Sequence, residues 1–95
     1  MTDFTDWKDA AKAELPDIAN RVFALRGRRY LGYGFHYAME VQLGRWIMRL
    51  CSSNPLNLLT EDRAKAVRLT WPVLWDEFKE GLTRAEHDLK EAPYG

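Results

Sequence analysis

The chain has 95 residues, 46% of them hydrophobic and 29% charged, with 14 basic and 14 acidic side chains. That size and balance predict one globular domain over residues 1–95 with a modest core, and they exclude a disordered chain. The zero net charge gives no whole-chain basic surplus for nucleic acid, and the lone Cys51 excludes an internal disulfide or a zinc site built on cysteine pairs.

The charge is unevenly spread. Residues 1–20 hold five acids and two bases, residues 21–50 hold six arginines and one glutamate, and residues 51–95 hold eight acids and six bases. An arginine band thus lies between two acidic flanks. Acidic helices packed beside a basic one would explain it plainly, and an arginine recognition surface is the sharper alternative. The acidic start of the chain lacks the apolar run of a secretory signal. No stretch approaches the roughly 20 apolar residues needed to span a bilayer. Together with the cysteine usage, this leads us to expect a cytoplasmic protein without membrane contact.

In the first segment, from about Phe4 to Arg26, apolar residues fall at Phe4, Trp7, Ala11, Leu15, Ile18, Val22 and Leu25. Spacings of three and four predict one helical face. Asp3 or Thr5 suits the start and Gly27 the stop. Pro16 predicts a kink, or two nearly collinear pieces with the proline in the first turn of the second. Residues 27–35 carry three glycines, each costing a helix roughly 1 kcal/mol relative to alanine, and predict a structured loop. The alternation of Tyr33, Phe35 and Tyr37 also allows a short extended piece there.

The second segment is predicted as a helix from about His36 to Ser52. Met39, Leu43, Trp46, Ile47 and Leu50 form its main apolar face. Tyr37, Val41, Gly44 and Met48 make the opposite side apolar too, with Gln42, Arg45 and Arg49 on the flank between. A helix apolar on two sides wants two neighbours, so this segment is expected at the centre of the bundle or against a second subunit. Ser52-Ser53-Asn54-Pro55 should end it.

Thr60 is a candidate N-cap for the third segment, with Glu61 and Asp62 in the first turn. Ala64, Val67, Trp71, Leu74, Trp75, Phe78, Leu82, Ala85 and Leu89 then keep helical spacing for more than six turns. Pro72 should kink or split the segment near Thr70, which would cap the second half. The fold expected is therefore all-α: a compact antiparallel bundle of three segments, the first and third interrupted by proline.

No catalytic constellation emerges. His36 and Glu40 share a helical face, but no second ligand pair joins them, so no metal site and no cofactor are expected. Cys51 sits at a helix C-terminus, where the dipole disfavours a thiolate, and it reads as a small hydrophobe. There is no nucleophile elbow and no glycine-rich phosphate loop. The protein is not expected to be an enzyme. Of the four tryptophans, Trp46, Trp71 and Trp75 are placed in the core and Trp7 at the surface.

Arg28, Arg29, Tyr30, Tyr33, Tyr37, Arg45, Met48 and Arg49 remain as candidate partner-binding residues. Arginine and aromatic residues dominate protein-binding hot spots. The function expected is that of a small protein-binding module, an adaptor or inhibitor, comparable in size and style with those that bacteriophages and mobile elements encode. One alternative is a nucleic-acid-binding protein using the basic band from Arg21 to Arg49. Another is a dimerising structural subunit of a larger assembly.

Overall fold

The computed structural model describes residues 4–25, 33–51 and 60–91, with backbone alone at 33–36 and 89–91. Among the described residues the chain is all-α, with three helices: α1 (Phe4–Phe23), α2 (Tyr33–Cys51) and α3 (Glu61–Glu91). At about 1.5 Å per residue, the 31 residues of α3 account for most of the 49 Å long axis of the molecule.

The start of α3 follows from its sequence. The Thr60 hydroxyl accepts a hydrogen bond from the Arg63 backbone N–H at 3.3 Å, and the Thr60 carbonyl accepts one from Ala64 at 2.9 Å. That is the N-cap arrangement, and it serves an N–H that the helix itself leaves without a partner. At the end of α1, Ala24 donates to Asn20 and Leu25 to Val22, so the last turn tightens as it closes.

Neither proline divides its helix. Pro16 lies within α1 and Pro72 within α3, and both helices are continuous across them. A proline removes the hydrogen bond to the carbonyl four residues back. Those carbonyls belong to Lys12 and Arg68, both at exposed positions where water can serve them. Buried residues flank each proline: Leu15 and Ile18 in α1, Trp75 and Phe78 in α3. Their packing holds the helix through the defect. Thr70 does not cap a second helix. It lies inside α3, and its hydroxyl donates to the Ala66 carbonyl at 2.7 Å, a back-bond that often bends helices just where Pro72 follows.

One boundary differs from the sequence expectation. The second helix begins at Tyr33, so Tyr33 to Phe35 are helical and not extended, despite the nearby glycines. Position within the bundle also differs. The backbone of α1 closely approaches both other helices, whereas α2 and α3 meet largely through side chains. The central place therefore belongs to α1, not to α2.

One core joins all three helices: Ala11, Leu15, Ile18, Val22 and Leu25 from the first segment, Met39, Leu43, Trp46 and Leu50 from α2, and Trp75, Phe78, Leu82 and Ala85 from α3. The spacings within each set alternate between three and four, the pattern of helices packed along shared seams. Two ion pairs fix how α1 lies on α3. Glu14 meets Lys79 at 3.0 Å and Arg21 meets Glu86, each pair 65 residues apart. Equal separations mean that α1 and α3 run parallel, and the contact of Trp7, near the start of α1, with Trp46, near the end of α2, sets α2 antiparallel to them.

Candidate functional site

The bundle's upper half is aromatic. Trp46 of α2 lies edge-on to Trp75 at 5.1 Å and to Trp71 at 6.1 Å, with Trp7 of α1 at 6.5 Å. Phe4 reaches Trp7 at 5.3 Å and Trp71 at 6.0 Å. All four tryptophans thus meet in one cluster drawn from three helices. Trp7 is half-buried and packed against the core, which corrects the expectation that it would stand at the surface. Three-four spacing alone put Trp7 on the apolar face. Its nearness to the chain terminus was the misleading cue.

Beside this cluster, a groove of about 250 Å³ opens between α2 and α3. Buried Trp46 and Phe78 form its floor. Gln42, Arg45 and Arg49 line it from α2, and Leu74 and Glu77 from α3. The guanidinium carbon of Arg49 lies 5.0 Å from the Trp46 ring centre and 5.7 Å from that of Trp71, within cation–π range of both. Arg45 is exposed, and neither Arg45 nor Arg49 has a carboxylate within 4.0 Å among the described residues.

Leu74 departs from the stripe to which its spacing assigned it. It is 42% exposed at the groove's rim, while Trp75, Phe78 and Leu82 are buried. Ile47 likewise leaves the main face of α2 and is 40% exposed. On the outer side of α2, Tyr37 is 65% exposed and Met48 74%, with Val41 between them. At about 100° per residue these three share one ridge with Gly44, and Arg45 adjoins it on the groove side.

The expected contact residues therefore fall into three groups. Arg45 and Arg49 lie along the groove, and Tyr37 and Met48 stand on the ridge next to it. Tyr33 is the first residue of α2, and only its backbone is described. Arg28, Arg29 and Tyr30 lie outside the described residues. Spacing missed Leu74, Glu77 and Phe78, because the α3 side of a groove shows only once its partner helix is placed.

The arginine band is in part neutralised. Arg21 is taken up by Glu86, Thr83 and Asp17. Its hydrogen bond to Glu86 holds the guanidinium pKa above the ordinary value. Among the described residues no helix is long and apolar enough to cross a membrane, and no group of three or more His, Cys, Asp or Glu residues is placed to hold a metal ion. Comparison of the chain with protein-family models, curated proteins and solved structures finds no match.

Proposed function

We propose that the chain is a small protein-binding module, an adaptor or inhibitor, that meets its partner through the outer surface of α2. The observation that carries this reading is the ridge of Tyr37, Val41 and Met48 lying beside Arg45 and Arg49. Single exposed apolar residues are ordinary, but a contiguous set beside arginines that have no ion pair among the described residues is the composition of a binding surface. On this reading the protein works by contact, not catalysis, in the cytoplasm, and its style suits a phage or mobile-element product.

The test is affinity capture from the native host, with the doubly substituted Tyr37→Glu, Met48→Glu chain as control and circular dichroism to confirm its helices. The expected result is a protein captured by the native chain, retained after nuclease treatment and lost with the double variant. Capture that survives both substitutions would sink the proposal. Nucleic acid recovered in place of a protein, with binding that falls steeply as salt rises, would favour the basic band as a phosphate-binding surface.

A further inference from the structure

The groove between α2 and α3 has a composition that a solvent-facing seam does not need. Its floor is aromatic, its rim carries exposed Leu74, and its α2 wall holds two arginines without carboxylate partners among the described residues. Among the described residues the one carboxylate lining it is Glu77, on the opposite wall. Among the described residues of α2 the single acidic side chain is Glu40, which does not line the groove. Trp46 and Phe78 are almost wholly buried, so the apolar surface open to an occupant is Leu74 at the rim, and negative charge suits the α2 side.

We infer that this groove takes an amphipathic helix from another protein, with acidic residues along the edge that faces Arg45 and Arg49. Such a helix would lie between α2 and α3 and complete a four-helix bundle. The backbones of α2 and α3 stand further apart than either does from α1, and Trp46, Trp71 and Trp75 fill the seam between them, so a fourth helix would lie over that seam. Arg49, pre-positioned by Trp46 and Trp71, would bind a carboxylate with little further loss of side-chain freedom. A second copy of the chain fits less well. Its own groove face offers one carboxylate, Glu77, against two arginines, so each copy would leave an arginine unmatched.

This inference rests on the protein-binding reading and is tested apart from it. The probes are two synthetic helical peptides with the same leucine pattern, one with glutamates along a single flank and one with lysines in their place. Binding to the full folded chain is followed by fluorescence anisotropy, with light scattering on the chain alone. The glutamate peptide is expected to bind at least about tenfold more tightly than the lysine peptide. Arg45→Glu, at an exposed position, is expected to remove that preference, and Leu74→Gln to weaken both peptides.

Equal binding of the two peptides, binding of neither, or a charge preference that survives Arg45→Glu overturns the inference. So does a dimer that Leu74→Gln dissociates, which would give the groove to a second copy. If the peptides fail while capture of a native partner still depends on Tyr37 and Met48, the groove inference falls and the protein-binding reading stands. If that capture fails as well, both fall.

Discussion

Arg21 of α1 holds Glu86 of α3 through two hydrogen bonds, one from Nε at 2.9 Å and one from Nη2. The forked geometry matches guanidinium to carboxylate, and Thr83 accepts a further bond from Nη2 at 3.3 Å. Both side chains remain about a third exposed, so solvent screens the attraction. The pair's main consequence is register. With Glu14–Lys79 it locks two parallel helices that no short loop connects.

A double-mutant cycle with Arg21→Gln and Glu86→Gln should therefore give a coupling of about 0.5–1 kcal/mol, diminished at high salt. Urea unfolding checks it. A coupling near zero would mean that the fork does not persist in solution. The pH sign is fixed by the raised pKa of Arg21. Its contribution is fully present below the ordinary guanidinium pKa and is lost only as pH rises through the raised value. Stability from this cation should thus not vary with pH between neutrality and the ordinary guanidinium value.

Leu74 and Leu82 belong to the same apolar stripe in the sequence, yet the structure separates them, one 42% exposed and the other fully buried. Leu82→Ala should cost about 3 kcal/mol, the usual loss for a leucine removed from a packed core. Leu74→Ala should cost clearly less, about 1 kcal/mol, because 42% of its surface stays in water in the folded chain. Denaturant midpoints at unchanged slope will show the difference. Equal losses would place Leu74 inside the core and close the groove.

The contrast between these two leucines shows what was legible in the sequence. Spacing identified three helices and most of the core, including Trp46, Trp75 and Leu82, because a buried face leaves a three-four signature whatever its neighbour. It did not reveal which helix sits between the others. Two-sided apolarity made α2 look central, but α1 holds that place and the Tyr37–Met48 side of α2 faces outward. Nor did local propensity locate the start of α2. Despite the nearby glycines, Tyr33 is its first residue. A groove depends on two helices at once, so its α2 residues were named as contacts while Leu74 and Glu77 were not.

Thr60 carries the start of the longest helix alone among the described residues, through its hydroxyl contact with the Arg63 N–H. Thr60→Ala should destabilise the protein by about 1 kcal/mol, while Thr60→Asp should preserve stability, since a carboxylate caps as well and suits the helix dipole. Thermal unfolding of the two variants makes the comparison. No loss from Thr60→Ala would show that the first turn of α3 does not rely on this cap, and equal loss from both would show that a carboxylate does not replace the hydroxyl there.

Gly44 gives the most direct test of whether the outer side of α2 is a free surface. A glycine in a helix costs roughly 1 kcal/mol relative to alanine, and such a cost is usually offset where a neighbour needs the space. Among the described residues no neighbour does here: a Cβ at Gly44 would meet nothing within 4 Å. Gly44→Ala should therefore raise the stability of the isolated chain by up to about 1 kcal/mol, measured as a higher denaturant midpoint. A loss of stability would mean that something already packs against this side, whether a second copy or part of the chain outside the described residues. The same variant also reports on the ridge. Gly44 lies between Val41 and Met48, so a partner whose backbone approaches α2 closely there will bind the stabilised variant less well than the native chain. A partner that touches only the side chains of Tyr37 and Met48 will bind both alike.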